Sequence, residues 1–227
     1  MKYFVFCYRV PVSFERFRIG SQFMFIQSVK SYNNTSGSQI YELVTSKITP
    51  TEQYTFSRIH PNLYPSFLVK KFLPKGCETS EETSTSTWPV TRTVYVTPNR
   101  PQIGTAELMT SVHPEKLDGI PAYFEQFING NKYHLEYFDL GGKNEEACYV
   151  YKLAKFEVNM FGKTILEKVS VITIKSIFKA SLTNLIQTRS QWENLTDNDL
   201  TAIYNGDIVT AVKINIEDNQ DVEQDVE

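Results

Sequence analysis

The stretch KLAKFEVNMFGK, residues 152–163, carries the main signal for the fold. Alternate positions from Lys152 to Met160 form one row of side chains that is apolar after the lysine, which predicts a β-strand with a cation on its apolar face. Phe161 breaks the alternation directly before a glycine, where we expect a hairpin tip. The next segment, ILEKVSVITI, is rich in β-branched residues and is predicted to be the return strand.

Lys152 has two interpretations. A strand lysine on an apolar face usually extends to the sheet edge or forms a salt bridge, because an unpaired buried cation is costly. Alternatively, Lys152 reaches into a cavity and binds an anion such as phosphate as a compact point charge. Thr93 and Thr110, on two other predicted strands, can add hydroxyl donors to that anion, although each alone is equally a β-branched strand residue.

The pair Met160 and Phe161 is also ambiguous. The tip of the hairpin can fold back onto the core, or its bulky apolar residues can be exposed and contact a partner or a membrane. Lys163 beside them suits an anionic lipid surface. The pattern leaves both interpretations open.

The rest of the chain predicts an α+β fold in one domain, residues 1–216, followed by an acidic, disordered tail at 217–227. With the two strands above, about eight mainly antiparallel strands are expected, the others being KYFVFCYRVPV, QIYELVTSKI, EQYTFSRIH, VTRTVYVTP, GTAELMTSVH and KYHLEYFDL. TSEETSTST is expected to be a loop. Helices are predicted after Ser13, over PSFLVKKFLP and SIFKASLTNLIQTRSQW, and after a capping box formed by Thr196 and Asp199.

Composition excludes several classes of protein. A net charge of -3 gives no basic patch for nucleic acid, and three scattered cysteines predict reduced thiols in the cytosol. The apolar N-terminus ends too early for a signal peptide, and no window approaches the ~18 apolar residues of a membrane span. We therefore expect a cytoplasmic monomer.

Signs of catalysis are missing from the sequence. His60, His113 and His134 lie in different elements without metal-ligand spacing. The chain has no nucleophile elbow, phosphate-binding loop or dinucleotide fingerprint. We expect no enzymatic activity, no metal and no cofactor.

Short motifs in a fixed order resemble the phosphatidylinositol transfer protein family, single-domain class. YRVPVS and RIGSQF are similar to the family's YRVILPVS and VGQLY, and PVTRTVYVT is similar to PYCRTVIT. YKLAKFEVNMFG followed by QWENLTDNDL is similar to YKLVTVKFKWWG and KWVDLTMDDI. The similarity runs from Tyr8 to Tyr204, and a family insertion is missing between Phe138 and Ala147.

The resemblance implies a fold related to the START lipid-binding domains, in which a curved sheet and long helices enclose one phospholipid. It implies transfer of a single glycerophospholipid, phosphatidylinositol and/or phosphatidylcholine, between membranes that the protein contacts transiently. The family's phosphate contacts fall on Lys152, Thr93, Thr110 and Gln22. The family's membrane-inserting tryptophan pair falls on Met160 and Phe161.

The resemblance is weaker where the family binds the inositol ring. Thr55 is retained, but the lysine position is Ser57 or, with a shift of one residue, Arg58. Ser86 replaces an asparagine and Tyr204 replaces a glutamate. If Arg58 is taken as the lysine position, Thr55, Arg58, Ser86 and Tyr204 would border the headgroup. The changes weaken selective recognition of inositol, whereas a choline or other headgroup can still bind through its phosphate.

Two other functions stay open. A lipid sensor or adaptor would bind phospholipid without transferring it and would use the acidic tail to contact a partner. An enzyme built on the same cavity would require paired carboxylates or a serine–histidine contact inside it.

Overall fold

The computed structural model describes residues 2–34, 41–49, 51–59, 79–141, 146–159 and 163–205. Its strands are β1 (Lys2–Val10), β2 (Tyr41–Ile48), β3 (Glu52–Ile59), β4 (Ser80–Thr87), β5 (Val90–Val96), β6 (Gly104–His113), β7 (Tyr133–Asp139) and β8 (Cys148–Val158). Its helices are α1 (Phe14–Asn34), α2 (Ala122–Ile128), α3 (Lys163–Gln187), α4 (Arg189–Trp192) and α5 (Asp197–Asn205), with a 3-10 turn at Pro101–Ile103. None of the helices in these ranges is long and apolar enough to cross a bilayer.

One sheet contains all eight of these strands in the order β2-β3-β4-β5-β6-β8-β1-β7. All neighbouring strands are antiparallel except β1 and β7, which run parallel. The expected α+β fold with a mainly antiparallel sheet is therefore confirmed.

The core lies on both faces of the sheet around β1 and β8. On one face, Phe6 and Tyr8 of β1 pack with α1, α3 and α4, including Trp192. On the other face, Val5 and Cys7 pack under α2. Because β1 alternates between two buried layers, nearly every residue of this strand is apolar, as in KYFVFCYRV.

The Ser/Thr-rich run is a strand, so the predicted loop is wrong. Residues Ser80–Thr87 form β4, which pairs along its whole length with β3 and β5. Neither face of β4 packs in an apolar core, and most of its residues are half-buried. Hydroxyl side chains are tolerated there, and the β-branched threonines favour extended backbone.

The segment ILEKVSVITI is helical, so the predicted return strand is also wrong. It forms the first part of α3, which begins at Lys163 and continues to Gln187. The inward-facing residues of α3 recur at intervals of three or four, which is helical spacing, and they are Glu167, Val171, Ile174, Phe178, Leu182 and Leu185. Tertiary burial of this stripe overrides the β-branched composition. The count of eight strands holds because β4 takes the place of the predicted return strand.

The helix starts agree with the sequence. Ser13 Oγ accepts a hydrogen bond of 3.3 Å from the Arg16 backbone N–H at the start of α1. The predicted capping box of α5 is confirmed, because Thr196 N donates to Asp199 Oδ2 at 2.8 Å and Asp199 N donates to Thr196 Oγ1 at 3.3 Å.

Some predictions concern residues outside the described ranges. These are the PSFLVKKFLP helix, the Met160–Phe161 tip and the acidic tail at 217–227. The domain limits at residues 1–216 likewise stay a prediction.

Gly20 lets α1 approach α4 closely. A Cβ at Gly20 would lie 2.9 Å from three ring atoms of Trp192, which is fully buried and donates a hydrogen bond to the Leu185 carbonyl.

We predict that Gly20→Ala lowers the free energy of unfolding by roughly 1–3 kcal/mol, although alanine has the better helix propensity. Chemical denaturation measures this change. Gly119→Ala is the control, since a Cβ there meets nothing within 4 Å; equal effects of the two substitutions would contradict the packing argument.

Candidate functional site

A cavity of about 460 Å³ lies between the sheet and the two long helices. Strands β3 to β6 and β8 line one side of it, and α1 and α3 line the other. This volume is within the usual range for small-molecule binding sites.

The sheet side of the cavity is polar because of the strand register. Gln53, Ser86, Thr91, Thr110 and Lys152 are successive cross-strand partners on β3, β4, β5, β6 and β8. Directly paired residues share a face, so these five side chains form one row that points into the cavity. We call them the polar row.

Hydroxyl groups connect neighbouring strands within and beside the polar row. Ser86 Oγ and Thr91 Oγ1 are 2.8 Å apart. In the adjacent row, Ser84 Oγ and Thr93 Oγ1 are 2.9 Å apart. Hydroxyls can both donate and accept, so they can reorient to donate to an incoming anion.

Lys152 ends the polar row in the middle of the sheet. Its Nζ donates to Thr110 Oγ1 at 3.2 Å and lies 4.6 Å from the centre of the Phe178 ring. Across the described ranges, no carboxylate forms an ion pair with Lys152. Burial without a counter-charge lowers the pKa of Lys152 to about 8.

Gln22 on α1 faces the polar row from the helix side. It is only 4% exposed, and its Nε2 donates to the Thr49 carbonyl at 2.7 Å. Its Oε1 is buried and has no hydrogen-bond partner within the part of the chain that the structure describes. A buried acceptor of this kind is available to a donor on a ligand or to water.

The helix side of the cavity is largely apolar. Five apolar residues of α3 line this side: Ile174, Ile177, Phe178, Leu182 and Leu185. Phe17, Met24 and Phe25 of α1 add to it, and Trp88 packs against Phe17 with ring centres 6.4 Å apart. The cavity therefore offers a cation and hydroxyls on the sheet wall, and mainly hydrocarbon together with the Gln22 amide on the helix wall.

The structure brings five of the predicted headgroup residues to this cavity: Lys152, Thr93, Thr110, Gln22 and Ser86. Thr55 is buried on the same face of β3 as Gln53, where it pairs with Ser84, but it does not line the cavity. The sequence reasoning did not select Gln53, although its spacing of two residues from Thr55 could have identified it.

Two of the predicted headgroup residues do not line this cavity, and their role at the headgroup stays a prediction. Arg58 is on the opposite face of β3, since its separation from Thr55 is odd, and it pairs with Glu81 at 3.5 Å. Tyr204 lines a separate cavity of about 100 Å³, where its hydroxyl lies 3.2 Å from Ser46 Oγ. Gln22 lines both cavities. Met160 and Phe161 lie outside the described residues.

Catalytic constellations do not occur at this cavity among the described residues. Ser111 Oγ and His113 Nε2 are 2.9 Å apart, but both alternate with Thr110 on β6 and face away from the cavity. Within the described ranges, no cluster of histidine, cysteine and carboxylate side chains could hold a metal.

The pKa of Lys152 has a consequence for stability. The unfolded chain keeps this lysine protonated to about pH 10.4, whereas the folded protein releases the proton near pH 8. Between these values the unfolded state binds more protons, so the contribution of Lys152 to folding becomes more favourable as the pH rises.

We predict that unliganded Lys152→Met is more stable than the wild type by about 1–3 kcal/mol at pH 7.

Denaturation of both proteins from pH 7 to 10 measures this difference, which should shrink as the pH rises. A difference that stays constant over this range, or a variant that is less stable at pH 7, would show that Lys152 carries no desolvation penalty.

Comparison with known proteins assigns the family. A protein-family model described as phosphatidylinositol transfer protein matches residues 1–117. A search of curated proteins finds no match. Among solved structures, the crystal structure of TTHA0849 from Thermus thermophilus is similar, with 10% sequence identity and a TM-score of 0.36 over 88% of this chain and 98% of that chain. The structural similarity is too distant to bear on function.

The family match includes β1, α1, β2 to β6 and thus four of the five strands that form the polar row. It spans more than half of the 227 residues. This chain belongs to the phosphatidylinositol transfer protein family.

Proposed function

We propose that the protein binds one glycerophospholipid in the 460 Å³ cavity and transfers it between membranes. The carrying observation is Lys152, an enclosed cation that has a hydroxyl and a ring as neighbours but no carboxylate among the described residues. A phosphodiester supplies the missing negative charge and accepts hydrogen bonds from the ammonium and the hydroxyls.

The two walls of the cavity support an orientation for the lipid. The phosphate lies against the polar row near Lys152 and Thr110. Thr93 and Gln22 line the same cavity and contact the headgroup. The acyl chains lie along the apolar residues of α3 and α1. Withdrawing each methylene into water would cost ~0.8 kcal/mol, so a protein that keeps the chains shielded speeds transfer without chemical change.

A sensor that holds lipid without releasing it has the same cavity, and only a transfer measurement separates the two. The proposed transfer protein moves a labelled phospholipid from donor to acceptor vesicles, whereas a sensor leaves the label where it is.

We predict that Lys152→Met loses most of its bound phospholipid, because the phosphate then lacks its counter-charge. Lipid extraction and mass spectrometry of the purified protein measure the loading. Lys155→Met is the matched control: Lys155 is on the same strand but on the opposite face, where its Nζ lies 3.2 Å from Glu107 Oε2. Equal phospholipid loading of Lys152→Met and the wild type would show that the phosphate does not bind at Lys152.

The headgroup preference should be weak between inositol and choline. Arg58 faces away from the cavity and Tyr204 lines another one, so two of the ring-binding positions are not gathered around the phosphate. Competitive loading from vesicles that contain phosphatidylinositol and phosphatidylcholine in equal amounts measures the preference. A large excess of phosphatidylinositol in the recovered protein would contradict this expectation.

A further inference from the structure

The outward-facing side of α3 carries the two most exposed large apolar side chains of the described residues. Ile172 is 66% exposed and Ile177 is 53% exposed. Seven exposed residues in this part of α3 form what we call the α3 outer face: Ile172, Thr173, Ser176, Ile177, Lys179, Ala180 and Ser181. Large apolar side chains that are exposed to this degree are candidates for contact with a partner or a membrane.

The α3 outer face is continuous with the cavity. Ile177 and Ser181 are exposed and also line the 460 Å³ cavity. The cavity therefore opens to the surroundings along this side of α3. A lipid that enters or leaves here passes directly over the α3 outer face.

The charge of α3 contrasts with that of the whole chain. The helix sequence contains Lys163, Lys168, Lys175 and Lys179 but one acid, Glu167, which is 2% exposed. Its net charge is thus positive, while the chain carries -3. Lys175 pairs with Glu136 on β7, and Lys179 is exposed within the α3 outer face, which contains no acidic residue.

We propose that the α3 outer face docks on an anionic bilayer and that the phospholipid passes beside Ile177. This proposal rests on the phospholipid-transfer function proposed above and names the surface that performs its membrane step. Ile172 and Ile177 enter the boundary between headgroups and acyl chains, as apolar residues of interfacial helices do. Lys179 lies at the level of the lipid phosphates and favours a negatively charged surface.

The test uses the double variant Ile172→Ser/Lys179→Gln in the full chain. Neither side chain is buried, so the fold is retained, and Ile172 does not line the cavity. The matched control is Leu135→Ser/Lys132→Gln, which makes the same changes at exposed residues on and beside β7. Two quantities are measured: co-flotation with vesicles, and transfer of a labelled phospholipid between vesicles.

Vesicles of phosphatidylcholine that contain phosphatidylserine should bind the double variant roughly tenfold more weakly than the wild type. Transfer should slow in parallel, with phospholipid loading unchanged. The control should behave as the wild type, and added salt should reduce the difference between the anionic and neutral vesicles. These results support docking through α3.

Wild-type binding and transfer by the double variant on anionic vesicles would overturn the proposal. Such a result would leave the predicted Met160–Phe161 tip as the docking element, or a protein as the occupant of the α3 outer face. Failure of the wild type to load any phospholipid would instead overturn the proposed function, which loading measures separately from vesicle binding.

Discussion

A buried ammonium group loses its hydration, and this cost must be offset by other charged or polar groups. Within the described residues, Lys152 has few such groups around it. Thr110 supplies one hydroxyl and Phe178 one aromatic face. Neither offsets the loss of water as a carboxylate would. A ligand that brings a negative charge to the polar row would supply this compensation. The loaded protein is then the more stable form, because a ligand that binds only the folded state stabilises it.

The two walls of the cavity differ in chemical character and in how they are held in place. Main-chain pairing places the polar groups of the sheet, so their spacing across neighbouring strands is set to about 4.8 Å by the ladder itself. The apolar wall comes from α3 and α1, and α3 is held to the sheet by side-chain packing and by the ion pair of Lys175 with Glu136. The polar wall is therefore fixed by main-chain hydrogen bonds, whereas the apolar wall depends on contacts between side chains.

The sequence predicts most elements but misses those that depend on partners far away in the chain. The strand β4 is not predicted because its eight residues carry no strong strand pattern of their own. They are extended because they pair with β3 and β5 beside the cavity. The first part of α3 is not recognised because β-branched residues outweigh the inward stripe that begins at Glu167. In both cases, tertiary burial decides the element against the local propensity.

At the site, Lys152 and the two threonines are predicted through resemblance, and the strand register explains why they meet. Alternation along β3 separates the two candidate positions for the family's lysine, Ser57 and Arg58. Ser57 is two residues from Thr55 and shares its buried face, whereas Arg58 points the other way. Gln53 shares the alternation of Thr55, whereas Thr91 could be added only after the cross-strand pairs of the polar row were known.

Strand β8 holds two lysines in opposite electrostatic surroundings. Lys152 faces the cavity, and Lys155, at an odd separation, faces the other way and meets Glu107 beside Phe127. A slip of β8 by one residue against β6 would exchange the faces, turning Lys152 toward the packed layer beneath α2 and bringing apolar residues such as Leu153 into the cavity. Each lysine therefore penalises the wrong alignment of its own strand. The same pair of charges that distinguishes the two faces thus adds to the apolar alternation of β8 in favouring one alignment of the sheet.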